Sequence, residues 1–142
     1  MRERALAMLA RREHTRAEMT RKLTPHAESP EQIEQLLDAL VARGWLSEAR
    51  FAESRANTLL RKFGSRKIEY DLRNRGVSAE VAEQAVERSL ARVLENCRAA
   101  WQKKFGVLPR DAAERGRQMR FLAGRGFSAE AVRQVLKAKD DD

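Results

Sequence analysis

RGVSAEVAEQAV, residues 75–86, returns fifty positions later as RGFSAEAVRQVL, residues 125–136. Six of the twelve positions are identical and most of the others keep their polarity. The pattern also extends upstream. Ser29-Pro30-Glu31-Gln32-Ile33 aligns with Ser78-Ala79-Glu80-Val81-Ala82 at an offset of 49, and that block aligns with Ser128-Ala129-Glu130-Ala131-Val132 at 50. A period of this length marks a tandem array of similar units.

In each copy a Ser stands where a helix N-cap is wanted, and a Glu follows two places later where the helix N-terminus favours negative charge. Behind Ser29, the residues Ile33, Leu36, Leu37, Leu40 and Val41 form a one-sided apolar stripe at helical spacing, with Gly44 as the expected C-cap. Upstream of each Ser lies a second helical pattern. Thr15-Arg16-Ala17-Glu18 is a capping-box signature leading into Met19 and Leu23, matched in the second copy by Ile68 and Leu72. The third copy offers Met119 and Leu122, one position out of register, and its Gly116 weakens the helix there. Gly76 and Gly126 are expected to supply left-handed turns, where the first copy has the longer TPHAES connection. A further helical stretch precedes each pair, at Ala5–Glu13, Glu48–Phe63 and Ala91–Phe105.

The expected fold is therefore all-α, an elongated or bowed array of three tandem three-helix repeats with boundaries at 1–46, 47–90 and 91–142. Units of about 49 residues are near the lower limit for independent stability, so neighbours should bury apolar faces against one another. Apolar positions continue from Ala79 to Phe105 without Gly or Pro, so the second and third units share one helix there or break near Ser89.

Composition narrows the function. The 142 residues are rich in helix formers, with 6% aromatics, seven Gly and three Pro. Lys and Arg number 29 against 21 Asp and Glu, a net charge of +8, which suits nucleic acid or an acidic protein surface. The balance rises along the chain, from +1 over residues 1–46 to +3 over 47–94 and +4 over 95–142, the last including Asp140–Asp142. One Cys and two His do not make a zinc site or a disulfide, and no phosphate loop, HExxH or GxSxG motif occurs. Cofactors are not expected, nor is catalysis. With no leader-like or membrane-length apolar stretch, the chain reads as cytoplasmic and without a membrane partner.

Helical geometry picks out a surface. With Ile68 and Leu72 inward, Arg66, Tyr70 and Arg73 face outward; with Met119 and Leu122 inward, Arg117 and Arg120 do so. Arg21 takes the place that aligns with Tyr70 and Arg120. Lys67, beside Arg66, and Arg125, before Gly126, complete the candidate set. An outward basic face is ordinarily only a solvated face; recurrence at equivalent positions singles this one out as a footprint. Cys97, Trp101 and Trp45 read as packing residues, with Trp45 between units, and neither His14 nor His26 has a catalytic partner at a recognisable spacing.

Several segments resemble the RecX regulatory proteins, bacterial modulators of the RecA recombinase. RALAMLARREHTRAEMTRKL at 4–23 is similar to that family's opening helix pair and GWLSEARFA at 44–52 to its first junction. FGSRKIEYDLRNRGVS at 63–78 and RQMRFLAGRGFS at 117–128 resemble its second and third repeats. The resemblance spans nearly the whole chain. It implies a protein without catalysis of its own that binds RecA filaments on single-stranded DNA along their helical groove, restrains filament growth and lowers recombinase activity. The residues themselves leave open capping of filament ends or coating of the groove, and the expected state is a monomer. The alternative left by the residues themselves is direct binding of single-stranded nucleic acid without the recombinase, Tyr70 stacking on bases and the arginines on phosphates.

Overall fold

The computed structural model describes residues 1–137. Asp140–Asp142 and the expected boundary at 142 lie outside them. The described residues form eight α-helices in order: α1 (Arg2–Arg11), α2 (Arg16–Leu23), α3 (Pro30–Ala42), α4 (Glu48–Leu59), α5 (Ser65–Asn74), α6 (Ala79–Lys104), α7 (Ala112–Gly124) and α8 (Ala129–Val135). They form three tandem three-helix units, with α6 serving as the last helix of the second unit and the first of the third.

The caps explain the boundaries. The Oγ atoms of Ser29, Ser78 and Ser128 each accept a hydrogen bond from the backbone N–H three residues on, and Ser47 and Asp111 do the same for α4 and α7. Thr15 and Glu18 close a reciprocal capping box on α2. Gly76 and Gly126 end α5 and α7 at φ +96° and +94°, and the N–H groups of Val77 and Phe127 reach back five residues to the carbonyls of Leu72 and Leu122.

Each unit has its own core. Met19, Leu23, Ile33 and Leu37 close the first, Leu60, Ile68, Leu72 and Val86 the second, and Cys97, Leu122, Val132 and Leu136 the third. Each Leu removed from water in this way contributes ~1.5–3 kcal/mol before chain entropy is charged against it. The 26 residues of α6 span about 39 Å without interruption, packing on α4 and α5 through one half and on α7 and α8 through the other. Ser89, where a break was considered, lies wholly buried within this helix.

Three expectations need correction. The inward residue of α7 in register with Met19 and Ile68 is Gln118, which is buried, while Met119 is only half-buried. Trp101 in the third core carries an indole N–H that needs an acceptor; Gln118 Oε1 accepts it at 2.8 Å, and Gln118 Nε2 donates to the carbonyl of Val107 at 3.0 Å. A polar side chain thus does the work of Met or Ile, while also pinning the loop between α6 and α7. Val41 is 49% exposed, because the stripe on α3 narrows to Ile33, Leu37 and Leu40. Trp45 is 42% exposed and does not fill a space between units; its ring lies 5.8 Å from the Arg2 guanidinium and 5.2 Å from that of Arg43, both in the first unit.

Candidate partner-binding surface

The units meet through the same elements twice. The α5–α6 turn of the second unit lies against the start of α2, where a Cβ built on Gly76 would stand 3.4 Å from that of Ala17. The α7–α8 turn of the third unit, with Arg125 and Gly126, lines a cavity of about 370 Å³ with Asn57 and Arg61 of α4 and its C-terminal end. Beside it Glu130, at the start of α8, accepts the backbone N–H of Ser65 at 3.1 Å and its hydroxyl at 2.8 Å. This docking explains the repeated twelve residues: in both copies the turn that opens them packs on the preceding unit. In the first copy the counterpart of this turn is a 3-10 turn at Thr24–His26.

The candidate residues sit where helix geometry puts them. Arg21 on α2, Arg66, Lys67, Tyr70 and Arg73 on α5, Arg117 and Arg120 on α7, and Arg125 at the end of α7 are all exposed, Tyr70 by 68%. On α5, Arg66, Tyr70 and Arg73 fall within about 60° of one another around the axis, opposite Ile68 and Leu72. None of the seven cations has a salt-bridge partner among the described residues. Lys67 rests 4.3 Å from the centre of the Phe63 ring, and Arg125 lies 5.8 Å from that of Phe121. A Cβ on Gly116 would stand 3.0 Å from Nη1 of Arg120, the free end of an exposed side chain that folds back along α7 and can swing aside. The repeat is imperfect at this surface, since the outward column 21/70/120 reads Arg, Tyr, Arg and the counterpart of Arg66 is Gly116.

Other arginines are held internally. Arg12 pairs with Glu18 at 2.7 Å and Arg50 with Glu13 at 3.0 Å. Asp71 accepts from Nε of Arg55 at 2.9 Å and of Arg75 at 3.2 Å. The Arg12 hydrogen bonds outweigh burial and hold the Glu18 carboxyl at about 2, and the hydrogen bond from Arg55 lowers that of Asp71. These pairs cluster where the first unit meets the second.

The junction between the second and third units differs in a way the sequence carried but apolar periodicity did not reveal. Arg61 is the counterpart of Arg12, and Arg125 that of Arg75. Where the first junction has Glu13, Glu18 and Asp71, the second has Lys62, Lys67 and Phe121. Arg61 and Lys62, not singled out from the sequence, belong to this basic region; comparing charge column by column across the repeat would have found them.

His14 is buried with Nδ1 3.0 Å from the carbonyl of Arg12, and burial lowers its pKa. Cys97 is buried and its thiol is pushed up by desolvation, as suits a core residue. Among the described residues no group of three or more His, Cys, Asp or Glu is placed to hold a metal, and no helix is long and apolar enough to cross a membrane.

Comparison with known proteins gives one family throughout. Family profiles described as the first, second and third three-helix domains of RecX match residues 2–40, 47–86 and 91–136. The chain is 46% identical over 139 residues to the regulatory protein RecX of Leptothrix cholodnii, covering 98% of this chain and 88% of that one. It is 45% identical to the regulatory protein RecX of Chromobacterium violaceum over 142 residues, 100% of this chain and 92% of the relative. Among solved structures, the crystal structure of RecX from Lactobacillus salivarius aligns with a TM-score of 0.57 at 18% identity, covering 99% of this chain and 95% of that one.

Proposed function

The chain belongs to the RecX family of regulatory proteins, and from that membership we propose that it binds filaments of the RecA recombinase on single-stranded DNA, restrains their growth and lowers recombinase and ATPase activity. It acts without catalysis of its own, as a cytoplasmic monomer of three units bounded at 1–46, 47–90 and 91–142, and so modulates recombination and DNA repair. The contact surface comprises Arg21, Arg66, Lys67, Tyr70, Arg73, Arg117, Arg120 and Arg125.

One observation supports this surface above the rest: its cations are exposed and without carboxylate partners among the described residues, while Arg16 on α2, Arg75 just after α5 and Arg110 just before α7 are ion-paired within the chain. Unpaired guanidinium groups offer forked, charge-assisted hydrogen bonds to an incoming carboxylate or phosphate. Each such contact is weak at an exposed site. Several of them, held on consecutive units joined by one continuous helix, add through effective concentration only where the partner repeats as well. A polymerised recombinase satisfies that condition and a free subunit does not. Inhibition then follows if the bound filament conformation excludes an added subunit or an incoming duplex.

The test is titration of the protein into a recombinase ATPase assay on single-stranded DNA, beside its binding to the same DNA alone. Inhibition of the filament, with binding to bare DNA at physiological salt at least about tenfold weaker, is the expected result. Tight, steeply salt-dependent binding to bare DNA without effect on the recombinase would replace this reading with that of a single-stranded DNA-binding module.

A further inference from the structure

The cavity between the second and third units is lined by Asn57, Arg61, Asn96, Arg125 and Ser128 and by no carboxylate. A cavity of about 340 Å³ between the first and second units shares the equivalent arginines, Arg12 and Arg75, and is lined also by Arg55 and Glu13. There every guanidinium has an internal anion: Glu18 for Arg12, and Asp71 for both Arg55 and Arg75. At the second junction Lys67 stands in the place of Glu18 and Phe121 in that of Asp71. Two cations still converge on position 121 as they do on position 71, with Lys104 Nζ 5.5 Å and the Arg125 guanidinium 5.8 Å from the Phe121 ring centre. Of the carboxylates near this junction among the described residues, Glu130 is taken up by the N–H and hydroxyl of Ser65 and Glu53 by Arg92, which also donates to Asn57.

From this internal comparison we propose that the second junction is a docking site for a carboxylate side chain of a protein partner, received by Arg61 and Arg125 with Lys104 alongside. The first junction supplies the precedent, since the equivalent arginines each hold an aspartate or glutamate at hydrogen-bonding distance. An aromatic residue at 121 keeps the two cations in place by cation–π attraction without neutralising them. With Lys104 and Arg125 both at its ring and the Phe105 ring edge-on at 5.5 Å, Phe121 is poorly placed to stack a nucleobase, which favours an acidic protein segment over single-stranded nucleic acid. The site lies where the third unit docks on the second, so it is assembled only when the array is intact. Its biological partner rests on the function proposed above; its chemistry rests on the junctions alone.

The experiment measures binding of a fluorescein-labelled peptide of alternating Asp and Gly, and separately of labelled hexathymidylate, to the full chain by fluorescence anisotropy at low salt. Arg61→Ala with Arg125→Ala is expected to weaken the peptide about tenfold, while Arg98→Ala with Arg133→Ala, which removes the same charge from exposed positions elsewhere, weakens it less than about twofold. Installing the first junction's counter-ions with Lys67→Glu and Phe121→Asp is expected to weaken it by a similar factor. Because Phe121 also packs on the third core, Lys67→Glu alone, at an exposed position, repeats the test at no risk to the fold. Equal losses for the two alanine pairs, a loss for hexathymidylate as large as that for the peptide, or no peptide binding by the unaltered chain would each overturn the proposal. A peptide result as expected, beside failure to inhibit the recombinase, would remove the functional reading and leave the docking site; inhibition without peptide binding would do the reverse.

Discussion

The two junctions of this protein are built from the same turn docking on the same site, yet they are held together differently. Between the first and second units the chain passes through a non-helical link at Arg43–Ser47, and Arg50 crosses the contact to Glu13 and the carbonyl of Gly44, while the cations beside it are paired inside their own units, Arg12 with Glu18 in the first and Arg55 and Arg75 with Asp71 in the second. Between the second and third units the backbone itself is continuous through α6, and the equivalent cations are left without counter-ions. Glu130 still bridges the third unit to Ser65 of the second, but with a continuous helix fixing the placement of the two units, Arg61 and Arg125 are released from internal pairing among the described residues. The released charges are the ones assigned here to a partner.

The comparison breaks most severely if the helix does. Ala91 lies exposed in the middle of α6, so Ala91→Pro removes a helical hydrogen bond without disturbing either core directly. A loss of about 3 kcal/mol or more is expected in denaturant unfolding, with the second and third units melting apart where the unaltered protein melts them together. A single shared transition with unchanged midpoint would mean that α6 does not couple them.

The repeat, the caps and the left-handed glycines were legible in the sequence, because Ser before a helical stripe and Gly after it act through local backbone chemistry. Apolar spacing also located Met19, Leu23, Ile68 and Leu72. It failed at Gln118, where a buried amide serves Trp101 and the Val107 carbonyl, since periodicity counts apolar residues and not hydrogen bonds. It failed at Trp45, which is 42% exposed and has the Arg2 and Arg43 guanidinium groups of its own unit beside its ring. The continuity of α6 through Ser89 was open because a buried Ser within a helix and a Ser at a helix end look alike in one dimension. Of the surface, the outward faces of α5 and α7 were readable from their inward ones. Arg61 and Lys62 were not, because their significance lies in charges missing at other positions.

A moderate effect is expected at the first junction. Glu18→Gln keeps the capping hydrogen bonds but removes the charge paired with Arg12, and should cost about 1 kcal/mol at pH 7. Since the folded-state carboxyl is held at about 2, below its ordinary value near 4.5, its contribution is complete above the ordinary range and is lost as pH falls toward 2. The unaltered protein should therefore lose stability between pH 5 and 2 more steeply than the Gln variant, as urea titrations across that range would register. Parallel pH profiles would show that the pair contributes nothing.

The smallest effect sharpens the contrast. Lys67→Glu places at the second junction the carboxylate that Glu18 provides at the first, and should raise stability by about 0.3–0.5 kcal/mol through a new pair with Arg61. Thermal melts would read this as a midpoint higher by a degree or two. A lowered midpoint would mean that the two junctions are not equivalent in geometry.

The account turns on whether unpaired arginines of the second and third units carry the contact with a filament. The direct measurement is inhibition of recombinase ATPase activity on single-stranded DNA by a variant with Arg66, Arg73, Arg117 and Arg120 all changed to Glu, compared with the unaltered protein and with far-ultraviolet circular dichroism recorded on both. Loss of inhibition with helix content intact is the predicted result; inhibition that persists undiminished in the refolded variant would contradict it.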